Sequence, residues 1–269
     1  MSAIIIISGY GNGGCIVNRV VYLCEDTPDG IFTAIYDAWA AGIPDGQLSI
    51  RVEDNYMMEF FTDYVYVQTD LDKAVKVARS VSRKIGHEAY DMMYKASLSC
   101  EEEKIDVIYH FLKMGFTYGP KVVTMHTNDT VCRLFELSRA VSNEAHLFRE
   151  FVRFGESEEG ILIARIKPKN QVLSLMAHHF ADRFPEEHFV ILDETHRMGL
   201  FHERGKKWYL SPLAVDVLER IWMHSQGEKY EDLWRSFFHT IAIQERTNPK
   251  CQRNHCALRY RDYMVEFRK

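Results

Sequence analysis

Two rhythms of apolar residues alternate along the chain. A period near 3.6 predicts a helix, and a period of two or a short β-branched run predicts a strand. The run "CIVNRVVYLCED" holds Val20, Val21 and Leu23 and predicts a first strand. "TPDGIFTAIYDAWAAG" (27–42) predicts a helix with Thr27–Pro28 at its start and Gly42 at its stop. "DYVYVQTD" (63–70) alternates and predicts a strand. Three helices are then predicted in "DLDKAVKVARSVSRKIG", "HEAYDMMYKASLS" and "EEEKIDVIYHFLKMGF", with Leu71, Val75, Ala78 and Val81 as the inner stripe of the first.

The second half is more mixed. Residues 128–148 predict a helix capped by Asn128 or Asp129, with Leu134, Leu137, Val141 and Ala145 on one face. At Phe148 the period changes, so "FREFVRF" predicts a strand whose hairpin partner is "GILIARIKP". "KNQVLSLMAHHFADRFP" predicts a helix capped by Asn170, ended by Pro185, and buried along Leu173, Met176, Ala177, Phe180 and Phe184. Residues 188–212 predict a three-strand meander. A strong helix is expected from "EKYEDLWRSFFHTIAIQER", then an N-cap at Asn248–Pro249 and a final helix in "ALRYRDYMVEF". The expected fold is α+β: a mostly helical N-terminal half, then a small antiparallel sheet flanked by helices. Residues 1–18 read as an extension, and 19–269 as a single α+β domain with a possible sub-boundary near 120–128.

Composition narrows the class. Apolar residues make up 46%, enough for a packed core rather than a disordered chain. Six scattered cysteines without a CxxC pair, no secretory signal and no long apolar run predict a cytoplasmic protein with unpaired thiols and no membrane span. Charge is uneven: net −8 over residues 1–110, −1 over 111–240 and +4 over 241–269. A basic tail suits a polyanion, and equally a solvated helix. Gly9, Gly11 and Gly14 fit a dinucleotide-binding spacing, but a strand-forming run follows where that motif needs a helix. No cofactor is expected, and the histidines and cysteines do not show metal-ligand spacing.

Two chemistries remain. Glu144, His146, His179 and Asp182 are the right types for general acid–base work if the 140s and 170s segments share a cleft. Equally, the histidines are packed and hydrogen-bonded, with Asp182 and Arg183 in an ion pair. Nucleic-acid binding draws on Arg246, Lys250, Arg253 and Arg259 around the Asn248 helix start, whose free N–H groups suit phosphate. Arg149 and Arg153, interleaved with aromatics, and Arg183 add to it.

"LSRAVSNEAHLFREFVRF", "MAHHFADRFP" and "FFHTIAIQERTNPKCQRNH" followed by "RYRDYM" resemble the three signature blocks of a bacterial family of DNA metabolism or DNA repair proteins. The resemblance runs from about Val20 to the C-terminus. Glu144, His146, Phe151, Arg153 and Phe154 match the first block, and His179, Phe180, Asp182, Arg183 and Phe184 the second. Trp234, Phe238, Glu245, Arg246, Asn248, Pro249, Gln252, Arg259 and Tyr260 match the third. His178 departs from it, standing where the family often has Pro, as does "HCAL" at 255–258, where a Met-Pro turn is usual. What the resemblance implies is DNA as a partner, a radical-SAM protein beside it, and either processing of damaged or modified bases or a non-catalytic role as a DNA-binding adaptor or a protein–protein scaffold for the radical-SAM enzyme.

Overall fold

The structure is a computed structural model that describes residues 19–53, 59–214, 216–217, 221, 228–241 and 248–267. The predicted extension, with its glycines, lies outside the described residues, as do Glu245 and Arg246. The fold is α+β, as the patterning predicts. The chain forms two compact units that divide between Val141 and Ser142, inside one helix.

The first unit begins with β1 (Arg19–Cys24), α1 (Pro28–Ala41), β2 (Leu48–Val52) and β3 (Thr62–Tyr66). Their order is β2-β1-β3, and both pairings are parallel. Helix α1 is the crossover that parallel pairing of β1 with β2 requires. Thr27 caps it by accepting a bond from Gly30 N at 3.0 Å, and Gly42 ends it at φ 64°, a left-handed turn that glycine adopts without strain. The helices α2 (Leu71–Lys84), α3 (His87–Ser97) and α4 (Lys104–Tyr118) follow as predicted. The inner stripe of α2 differs from expectation. Ala74, Val77 and Val81 are buried, whereas Leu71 and Val75 are exposed. Small residues face the core because α1 packs close against α2. Ile31, Ile35, Ile85, Ile108, Phe111 and Leu112 are almost wholly buried in this core. Lys104 is buried too, its ammonium bonding Asp26 and the carbonyl of Ser99.

Helix α5 (Asp129–Phe151) carries the predicted face: Leu134, Leu137, Val141 and Ala145 are buried. It also corrects the predicted strand at "FREFVRF". The helix continues to Phe151, and only Phe154–Glu156 is a strand, β4. Phe148 and Phe151 both pack on Tyr260, with ring centroids 5.0 and 5.6 Å apart. Their spacing of three suits one helical face, and that contact favours helix over strand.

In the second unit β4, β5 (Leu162–Ile166), β6 (Phe189–Asp193), β7 (Met198–His202) and β8 (Tyr209–Pro212) lie in sequence order in one sheet. All pairings are antiparallel except β5 with β6, which α6 (Leu173–Arg183) connects. Leu173, Met176, Ala177 and Phe180 of α6 are buried as predicted, and Phe184 is partly so. Asn170 is not the cap, because Val172 occupies that position. Helix α7 (Glu228–Ile241) forms as predicted, and its Leu233, Trp234, Phe237 and Ile241 are exposed. The short helix α8 (Pro249–His255) starts at Asn248, whose side chain accepts from Cys251 N at 3.0 Å. The predicted last helix is broken into α9 (Leu258–Arg261) and a single 3-10 turn at Val265–Phe267. Among the described residues no helix is long and apolar enough to cross a membrane.

Candidate nucleic-acid interface

Glu144 lies one turn beyond Val141 on the inner side of α5, and its side chain is buried. A carboxylate there needs donors for its lone pairs. The loop after β5 supplies them. Glu144 Oε1 accepts from Lys169 N at 3.0 Å, and Oε2 accepts from Asn170 N at 2.8 Å and Asn170 Nδ2 at 2.6 Å. Arg259 Nη2 from α9 completes the set at 3.0 Å to Oε1. Arg259 also stacks its guanidinium 4.6 Å from the Tyr260 ring centre and bonds the Tyr260 hydroxyl. Burial pushes the Tyr260 phenol above its usual range; the bond from Arg259 pulls it down and the Glu144 charge pushes it up.

This cluster joins α5, the β5–α6 loop and α9, three segments distant in sequence. Glu144 and Arg259 belong to different signature blocks, and nothing in their spacing pairs them. An Asn just before a helix usually caps it, which is why the sequence points Asn170 at α6. In place of capping α6, it donates to Glu144.

Arg153 sits between α5 and β4. Its Nη2 donates to Glu266 Oε1 at 2.7 Å, Nη1 bonds the carbonyls of Glu150 and Val152, and the guanidinium lies 5.5 Å from the Trp234 ring centre. Trp234 Nε1 donates to the other oxygen of Glu266 at 3.0 Å. Burial pushes the Glu266 carboxyl up, but the bonds from Arg153 and Trp234 outweigh it and hold it below the usual range. The guanidinium of Arg153 is thereby engaged with its own unit. Glu266 gives no signal in the sequence.

The exposed candidates gather elsewhere. His146 lies two positions beyond Glu144, about 200° around a helix. His146 accordingly faces outward, 3.3 Å from Glu150 on its own helix. Arg149 reaches from α5 to the carbonyl of Leu175 in α6. His179, Asp182 and Arg183 lie exposed on the outer side of α6. Burial lowers the His179 imidazole, the Arg149 and Arg183 charges lower it further, and Asp182 opposes them. Thus Arg149, His179, Asp182 and Arg183 share one electrostatic neighbourhood across α5 and α6, and Glu144 lies behind it in the interior. Lys250 and Arg253 are exposed on α8, where Arg253 Nε bonds the carbonyl of Pro249. Among the described residues no group of three or more His, Cys, Asp or Glu side chains could hold a metal ion.

Of the solved structures, the DHH domain of a protein described as a member of a family of ribosomal proteins matches at 10% identity, over 69% of this chain and 74% of that one, with a TM-score of 0.30. So slight a likeness carries no argument. No curated protein matches the chain. The profile of a domain of unknown function, DUF4130, matches residues 102–266, and the chain belongs to that family.

Proposed function

We propose that the second unit binds DNA through the outward face of α5 and α6, as a non-catalytic adaptor in DNA metabolism or repair that works beside a radical-SAM protein. The observation that carries the contact is geometric: Arg149 reaches from α5 to the carbonyl of Leu175 on α6, and it and Arg183 of α6 are both exposed. Two permanent cations on one exposed face suit phosphate oxygens and carry no base code, so the contact is expected to be indifferent to sequence and steep in salt. DNA repair and the radical-SAM partner come from the resemblance of the signature blocks.

Glu144 favours the adaptor over an enzyme. A carboxylate offers about four lone-pair sites, and Glu144 already receives four N–H donors. None is left for a substrate proton. His146, the other acid–base candidate on α5, points to solvent beside Glu150.

The test is a panel of fluorescein-labelled duplexes, undamaged or carrying a uracil, an alkylated base or an abasic site. Anisotropy reports binding, and denaturing gels report base release or strand cleavage. Binding to every duplex without turnover is the expected result. Turnover that Glu144→Gln abolishes in a folded variant would overturn the adaptor reading, and absence of binding would overturn the DNA reading.

A further inference from the structure

The first unit carries a groove of about 510 Å³ between α1, α2 and α4. Its walls differ in chemistry. On α1, Tyr36 and Trp39 are three residues apart and therefore share a face. On α2, Lys76, Ser80 and Lys84 stand at spacings of four and form one polar stripe opposite. Phe116 of α4 closes the apolar floor, edge-on to Trp39 with centroids 5.2 Å apart. Trp39 nevertheless stays 42% exposed.

The lysines are held over aromatic rings. The Lys76 ammonium is 5.8 Å from the Tyr36 ring centre, and that of Lys84 is 5.4 Å from Phe116. Among the described residues neither is paired with a carboxylate, whereas Lys73 next to them is bound by Asp37 at 2.7 Å. Eight residues of helix separate Lys76 from Lys84 by about 12 Å. The groove therefore offers an exposed indole on one side and two uncompensated cations with a hydroxyl between them on the other. Flat π-systems stack on the first, and phosphate oxygens bond the second. Its volume falls in the range of small-molecule pockets, roughly 300–1,000 Å³.

We propose that this groove binds a nucleoside phosphate, with the base against Trp39 and the phosphate on the Lys76–Ser80–Lys84 stripe. The site lies wholly in the first unit and shares no residue with the face proposed to bind DNA, so either can fail without the other. A free nucleotide is favoured over a nucleic-acid strand because the groove is the size of one nucleotide.

Calorimetric titration of the full chain with AMP, adenosine and inorganic phosphate tests the proposal. AMP is expected to bind, with adenosine and phosphate each at least about tenfold weaker. Trp39→Leu and the double variant Lys76→Gln/Lys84→Gln are each expected to weaken AMP by roughly tenfold or more. Lys121→Gln, an exposed lysine outside the groove, is the control expected to bind as the wild type does. The lysine changes are at exposed positions, and circular dichroism melting confirms that both variants fold. No heat with AMP at about 1 mM, a concentration that would reveal even weak binding, overturns the proposal. So does adenosine binding as tightly as AMP, or an unchanged affinity in the lysine double variant. A short single strand or an acidic peptide that binds at these residues while AMP does not assigns the groove to another ligand and overturns it equally.

Discussion

Replacing Glu144 by Gln isolates the cluster that joins α5, the β5–α6 loop and α9. The variant keeps the shape and removes the charge. Each carboxylate oxygen now receives two donors: Oε1 from Lys169 N and Arg259, Oε2 from both nitrogens of Asn170. Whichever way the new amide turns, its NH2 faces two donors that cannot pair with it. Leaving a buried donor unmade costs about 1–3 kcal/mol. The Arg259 side chain is 39% exposed, so water recovers much of its loss and its share is small. The cheaper orientation turns the NH2 toward Lys169 N and Arg259, so one backbone N–H dominates and the total is about 1–3 kcal/mol. For a protein of this size that lowers Tm by roughly 2–12 °C. Because the chain has two units, scanning calorimetry rather than one spectroscopic melt is the assay, and the loss belongs to one transition. A Glu144→Gln protein within about 0.5 kcal/mol of wild type, the range of ordinary surface changes, would refute the reasoning.

Three further outcomes follow from the geometry. Glu266 is held below its ordinary 4.5 once folded, so its stabilisation is present above about pH 4.5 and lost as acid protonates it; Glu266→Gln should flatten the fall in stability across that window in acid titrations followed by circular dichroism. The Cys24 thiol, pushed up to about 12 chiefly by burial, should resist iodoacetamide at pH 8 in the native protein, while the exposed Cys100 and Cys251 react, as peptide mass mapping will show. Arg149→Ala should raise the His179 pKa in an NMR titration, because it removes one of the two cations that depress it; an unmoved or falling value contradicts the shared neighbourhood.

Local signals are legible in the chain where they are strong. The caps at Thr27 and Asn248 and the buried face of α5 stand where the patterning puts them. The differences arise where a distant contact decides the outcome. Phe148 and Phe151 fit a strand or a helix equally, and packing on Tyr260, more than a hundred residues away, selects the helix. The α2 stripe shifts from Leu71 and Val75 to Ala74 and Val77 because α1 packs close there. The parallel sheet of the first unit is hidden because β2, "LSIRV", is only five residues long, and its alternation carries no mark of the strand it pairs with. Among the candidate site residues, types can be chosen from the sequence but partners cannot. Glu144 and Arg259 are 115 positions apart, and Glu266 carries no motif.

The central claim is that DNA meets the second unit at Arg149 and Arg183. It is tested most directly by the salt dependence of duplex binding, measured by anisotropy from about 50 to 200 mM KCl. Each phosphate contact contributes about −0.9 to the slope of log K against log salt. Arg149→Ala/Arg183→Ala is expected to weaken binding at every salt and to make the slope shallower by roughly two contacts. A double variant with the wild-type slope and affinity would contradict the account.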